Sequence, residues 1–235
     1  MKQLFLEFKL IKEDTIKISM IMITIPIFNI LLFLKKDFIK PADSINVALY
    51  SLFGSAQYPQ LNWVNWILFC FGYVILIQMF FKPRARYFEY NMLLQQQKTD
   101  PFWNSRLLFG AIFSVIYIAS SFLIAVTGFY FHHIDLYFNV ITILLFVCIA
   151  INFYIHALLW LCLQMYLSTH IANIVIMSLI YGGTQFSSPI FPLYFSMLDH
   201  FQNENVLLLI LPSELIVIFI LGFLIKRKGK TKDYF

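Results

Sequence analysis

The chain has 235 residues, of which 60 % are hydrophobic and only 12 % are charged, and its formal net charge is +5. Because soluble domains carry about 25 % charged residues, this composition excludes an ordinary soluble enzyme, a disordered chain and a disulfide-rich secreted scaffold. The 3 cysteines show no spacing typical of a zinc site or a disulfide framework. The composition therefore predicts an all-α polytopic membrane protein.

Residues 1–17 form the first predicted element. Leu4, Phe8 and Ile11 recur at helical spacing, and lysines occupy other sides of the same helix. A basic amphipathic helix ahead of a first span is typical of a segment that lies in the membrane interface. No small-residue cleavage site follows the first apolar run, so we expect an N-terminal interfacial helix rather than a cleaved signal peptide.

Six apolar segments follow, and each approaches the roughly 20 residues that a helical span requires. They predict six transmembrane helices at about 18–34, 63–81, 107–131, 138–166, 171–187 and 206–225, within a transmembrane domain that covers 18–235. Residues 136–198 contain no Asp, Glu, Lys or Arg, and the polar group at 168–173 divides this stretch into two spans.

The basic residues predict the orientation of these spans. Fourteen of the 17 Lys and Arg residues lie in the N-terminal segment, in the loop 82–106 and in the C-terminal tail. Because Lys and Arg accumulate in cytoplasmic loops, both termini and this loop are predicted to be cytoplasmic. The positive charge then marks the inner side of the membrane, and no nucleic-acid partner is expected.

The fifth span has an unusual outer end. Gly182 and Gly183 are followed by Pro189 and Pro192, and this combination argues against a continuous helix. One interpretation is a broken or re-entrant segment over about 182–205, which would border a transport pathway. The alternative is a span that ends near Gly183, followed by an aromatic outer loop in the interface.

Three polar residues within the spans are candidates for a transport pathway: His156, Gln164 and Glu214. Ionisable groups inside a membrane are expensive and usually face a bundle interior or a wet cavity. Asn152 lies one turn before His156 on the same face. The alternative for His156 is a purely structural histidine whose hydrogen bonds are made by a neighbouring helix. Glu214 comes two residues after Pro212. In the alternative interpretation, a helix begins at Pro212 and Glu214 lies in its first turn.

Motifs for catalysis and ligand binding are not found in the sequence. The ending Gly-Lys-Thr at 229–231 imitates a phosphate-binding loop, but Leu224 replaces the glycine that this motif requires. His132, His133 and Asp135 lie together at the outer end of the third span, where interfacial polar caps are favoured over a metal site. We therefore expect no catalytic residue, no metal site and no cofactor in this chain.

The spans are rich in aromatic residues, with 27 Phe and 13 Tyr in the whole chain. A bulky aromatic interior suits an amphiphilic or apolar substrate better than a small ion. The alternative is that these residues only make the spans hydrophobic.

The layout as a whole is similar to that of a known family. It combines an interfacial N-terminal helix, six spans with both ends inside, a long second loop, a broken segment before the last span and a basic tail. Together with the stretch Trp103-Asn-Ser-Arg106 and the break at 188–192, it resembles the permease subunits of ABC-2-type transporters. The compact Gram-positive members that export, or give immunity to, bacteriocins and amphipathic peptide toxins such as phenol-soluble modulins are the most similar.

This resemblance implies a type V exporter-like architecture and a coupling helix at 87–98 that docks on a cytoplasmic ABC ATPase. The residues that it assigns to ATPase coupling are Tyr87, Phe88, Glu89, Tyr90, Met92, Leu93, Leu94, Trp103 and Arg106. The implied partners are that ATPase, which would bind ATP and Mg, a second permease copy or paralogue, and an amphipathic peptide. The implied location is the cytoplasmic membrane of a Gram-positive bacterium.

Two other classes of function stay open. One is the membrane substrate-binding subunit of a small-molecule importer, which also has about six spans. The other is an intramembrane enzyme that uses His132, His133, His156 or Glu214, although its usual motifs are missing.

Overall fold

A computed structural model of the chain describes residues 15–34, 62–81, 100–131, 133, 140–185 and 204–231. These residues form six α-helices: α1 (Thr15–Leu34), α2 (Asn62–Phe81), α3 (Asp100–Phe131), α4 (Val140–Gln164), α5 (Thr169–Gln185) and α6 (Glu204–Thr231). The described part of the chain contains no strand and is therefore all-α, as predicted. Each helix coincides with one predicted apolar segment. In an apolar environment, a helix pairs the backbone N–H and C=O groups of such a segment with each other.

Within the described ranges, two helical segments are long and apolar enough, by length and composition, to cross a membrane: Asp100–Phe131 and Phe146–Gln164. Three shorter apolar segments lie at Ile16–Leu32, Trp66–Phe81 and Thr169–Gly183. The outward surfaces of the described helices also carry many large apolar side chains, and Phe219 of α6 is 77 % exposed.

Helix α4 lies at the centre of the described structure. It contacts α6, α3, α5 and α2, whereas α1 packs on α2 and α3 at one side. Its buried residues differ in size, from Ala157 to Trp160. Side chains of the neighbouring helices can therefore pack between them.

An aromatic cluster fills the space between α2, α3 and α4. Phe69 stacks on Tyr117 with ring centroids 5.0 Å apart, and Tyr73 meets Phe153 edge to face at 4.6 Å. The Tyr117 hydroxyl donates a hydrogen bond to the Phe69 carbonyl at 2.8 Å, and the Tyr73 and Ser114 hydroxyls are hydrogen-bonded to each other. Both phenols therefore bury their rings without leaving their hydroxyls unpaired.

Helix α3 begins earlier than predicted. It starts at Asp100 rather than at Leu107, so the last part of the predicted loop 82–106 is helical. Asp100 in the first turn meets the positive end of the helix dipole, and Pro101 suits a first-turn position. Trp103 and Arg106 consequently lie on α3.

The other helix ends also refine the predicted spans. Helix α5 continues through both Gly182 and Gly183 to Gln185, so the predicted break does not occur at the glycines, and 186–203 lie outside the described residues. Helix α6 begins at Glu204 and runs through Pro212. Glu214 therefore sits in its third turn, and the alternative that placed it in a first turn is wrong.

Candidate functional site

A buried polar cluster lies between α4 and α6. Its members are Asn152, His156 and Glu214, and the Glu214 side chain is only 4 % exposed although carboxyl groups are rarely buried. The Asn152 Nδ2 group donates a hydrogen bond to Glu214 Oε1. It also donates to the carbonyl of Cys148, one turn earlier, at 3.1 Å.

The spacing of the α4 residues explains how the cluster forms. Cys148, Asn152 and His156 recur every four residues, so they lie near one face of α4, and the hydrogen bond from Asn152 to Glu214 directs this face toward α6. His156 Nδ1 lies 2.8 Å from the Asn152 carbonyl oxygen. Because a carbonyl oxygen only accepts, Nδ1 carries the hydrogen, and Nε2 of the neutral ring is an acceptor.

Some buried atoms of the cluster retain hydrogen-bonding capacity. Among the described residues, these include His156 Nε2 and Glu214 Oε2, which are buried without a hydrogen-bond partner. Buried polar atoms in native proteins usually have a protein, water or ion partner. The Glu214 carboxyl group can therefore hold a proton or accept from a donor group at the interface of α4 and α6.

Two of the three predicted pathway residues are linked through Asn152. Glu214 accepts a hydrogen bond from the Asn152 carboxamide, and His156 donates one to the Asn152 main-chain carbonyl. Gln164 is the last residue of α4 and is half-buried; it lies about 12 Å further along the helix axis than His156. The sequence does not predict Asn152 as a pathway residue, although its four-residue spacing places it on the same side of α4 as His156.

A second polar chain joins α4 to α5 and α2. The Trp160 indole donates to Asn173 Oδ1 at 2.6 Å, and Asn173 Nδ2 donates to Gln78 Oε1 at 2.9 Å. No sequence pattern links these residues, because they come from three separate helices.

Two of the predicted ATPase-coupling residues lie in the described part of the chain. Trp103 and Arg106 are both buried in the first turns of α3. The Arg106 guanidinium lies over the rings of Phe102 and Phe81, at 4.9 and 5.9 Å from their centroids. These side chains therefore contact neighbouring helices. The other predicted coupling residues are Tyr87, Phe88, Glu89, Tyr90, Met92, Leu93 and Leu94, which lie outside the described residues.

The histidine group at the outer end of α3 is described only in part. His133 is exposed in a turn with φ of 57°, and its backbone amide donates to the Tyr130 carbonyl at 3.2 Å. His132 and Asp135 lie outside the described residues. Within the described part of the chain, no group of three or more His, Cys, Asp or Glu residues is arranged to hold a metal ion.

Comparison of the chain with protein-family models gave no match. Comparisons with curated proteins and with solved structures gave none either. The fold and the buried cluster are therefore the features from which a function is inferred.

Proposed function

We propose that this chain is the transmembrane permease subunit of an ATP-driven ABC transporter that exports amphipathic or hydrophobic peptides. The observation that supports this function best is the Asn152–Glu214 hydrogen bond, buried between α4 and α6. A carboxyl group at the interface of two apolar helices is typical of proteins that move a solute or a proton through a membrane.

The outer surface of the helices supports a membrane location. Soluble proteins rarely expose apolar patches larger than a few hundred Å². The outward side of α6 carries Leu215, Ile216, Phe219, Ile220 and Phe223, which are all exposed. In our proposal these side chains face lipid, all six helices cross the membrane, and both termini are cytoplasmic.

The proposed energy source is a separate cytoplasmic ABC ATPase that binds ATP and Mg. The chain has no recognisable nucleotide-binding motif, so an ATP-driven transporter built from it needs an ATPase partner. The proposed docking element is the coupling helix at 87–98, which precedes α3 in the chain. A second permease copy or a paralogue would complete the transport pathway in the bacterial membrane.

Purification of the tagged chain from its native membrane tests this function. We expect an ABC ATPase to be recovered in stoichiometric amount, identified by mass spectrometry and by ATP hydrolysis. Replacement of 87–98 by a Gly/Ser stretch should abolish this recovery while the chain still reaches the membrane. The matched control is the same replacement at 36–47, in the predicted outer loop, which should leave the ATPase bound.

Two outcomes would contradict the proposal. Recovery of the ATPase by the chain with the Gly/Ser stretch at 87–98 would refute the docking element. Purification without any ATPase, combined with tight binding of a small ligand by the isolated chain, would favour the importer subunit instead.

A further inference from the structure

The C-terminal end of α6 packs against the N-terminal end of α3. The Lys230 ammonium lies 3.0 Å from a carboxylate oxygen of Asp100, and both side chains are about half exposed. The indole of Trp103, which is buried, lies against the backbone of Gly229. Exposed ion pairs contribute little to stability. The contact between the indole and the glycine therefore stabilises this junction more than the ion pair does.

Gly229 is required for this contact because a side chain would not fit. A Cβ atom at this position would clash with the Nε1 and Cε2 atoms of Trp103. Gly222, two turns earlier on the same helix, is different, since its Cβ would meet only Leu107 Cδ1 at 3.8 Å. Glycine is unfavourable within a helix, so its presence at 229 is explained by the close approach of α3.

The α3 side of the junction is held to its neighbours. Trp103 Nε1 has no hydrogen-bond acceptor among the described residues, so the indole is positioned by its shape. One turn later, the Arg106 guanidinium lies over Phe81 at the end of α2. Asp100 is the first residue of α3, so a displacement of this end of the helix moves Trp103 with it.

The α6 side of the junction leads to the buried polar cluster. Helix α6 is continuous from Glu204 to Thr231, and Glu214 lies about 22 Å from Gly229 along its axis. Lys228 lies over the ring of Tyr166, in the turn after α4, at 5.1 Å. A shift of the C-terminal end of α6 therefore acts on the α4–α6 contact both at Tyr166 and at Asn152, because a helix moves as a rigid element.

We propose that the Trp103–Gly229 contact is a latch through which movement of the N-terminal end of α3 reaches α6 and the Asn152–Glu214 hydrogen bond. This inference rests on the proposed function, because a partner ATPase supplies the movement. Trp103 and Gly229 are positioning residues, since they act on the pathway through α6.

The test measures the ATP-induced change in distance between α4 and α6 in the purified complex with its ATPase. After replacement of the native cysteines, spin labels are attached at Val147→Cys and Phe219→Cys, two exposed positions on these helices. We expect Gly229→Ala to weaken the effect of ATP on this distance equilibrium by about 2- to 30-fold, the range found for coupling residues that contact neither ligand. ATP hydrolysis by the bound ATPase should persist.

Two further variants separate coupling from folding. Gly222→Ala adds the same methyl group to α6 without a clash, so its response to ATP should equal that of the unmodified chain. Trp103→Leu combined with Gly229→Ala makes room for the new methyl group and should recover most of the response. If Gly229→Ala alone does not assemble with the ATPase, the response to ATP is measured in the double variant instead.

The outcomes are distinguishable. A full response to ATP in Gly229→Ala refutes the latch and leaves the proposed function intact. The same conclusion follows if Gly229→Ala only lowers the melting temperature while the response persists, or if the double variant assembles without recovering the response. If no ATPase binds the unmodified chain, the proposed function and the latch fail together.

Discussion

At the scale of single residues, Asn152 organises the polar cluster. Its carboxamide donates to Glu214 and to the Cys148 carbonyl, and its own carbonyl accepts from His156. A buried carboxyl group next to an apolar residue would have no such donor and would be costly. The single amide thus makes Glu214 compatible with the helix interface.

We predict that Asn152→Leu lowers the free energy of unfolding by about 1–3 kcal/mol, the cost of leaving a buried polar group without its partner. The combined variant Asn152→Leu with Glu214→Leu should recover most of this loss, because both partners are then apolar. The measurement is thermal unfolding in detergent of the two single variants and of the double variant. Additive losses would show that the two side chains are not energetically coupled.

At the scale of elements, the junction of α3 and α6 contains two contacts of unequal strength. The Asp100–Lys230 pair is about half exposed on both sides, and such pairs contribute about 0.2–1 kcal/mol. Trp103 is almost fully buried, and large-to-small substitutions of buried aromatic residues cost about 3–5 kcal/mol. Packing of the indole therefore dominates the junction.

We predict that Asp100→Asn lowers the free energy of unfolding by less than about 1 kcal/mol, whereas Trp103→Ala lowers it by about 3–5 kcal/mol. Denaturation of both variants in the same detergent checks this order, and added salt should reduce only the effect of Asp100→Asn. An equal loss in the two variants would mean that the ion pair and the indole contribute alike, and a larger loss in Asp100→Asn would mean that the ion pair holds α3 to α6.

At the scale of the whole molecule, the described helices carry apolar side chains on both their inner and outer surfaces. Phe219 and Leu123 are exposed, and Asn152, His156 and Glu214 are buried within a mainly apolar core. The exposed apolar side chains are the surface that faces lipid in the proposed topology.

We predict that a membrane-impermeant thiol reagent applied to intact cells labels Lys40→Cys but neither Glu89→Cys nor Lys232→Cys. The three native cysteines are replaced beforehand, and each test position is made singly. The expectation follows from the concentration of Lys and Arg at both termini and in the loop 82–106. Permeabilised cells are the control, in which all three positions should react. Labelling of Glu89→Cys in intact cells would contradict the proposed topology.

The sequence by itself determined the class of the fold and the positions of the six helices. Long apolar runs bounded by charged residues predict helices wherever they occur, because the signal is local. The same local signal identified Glu214 and His156 as unusual, since polar residues stand out within apolar runs. It could not identify Asn152 as the partner of Glu214, because 62 residues separate them in the chain.

Only the tertiary structure decided which helix faces meet and where the helices end. Helix α3 begins at Asp100, before its apolar run, and α6 extends beyond its own apolar run to Thr231. These extensions carry the contact between Trp103 and Gly229. The periodicity of apolar residues does not predict such a contact. A glycine allows a second helix to approach closely, but only the tertiary structure shows whether a second helix lies there.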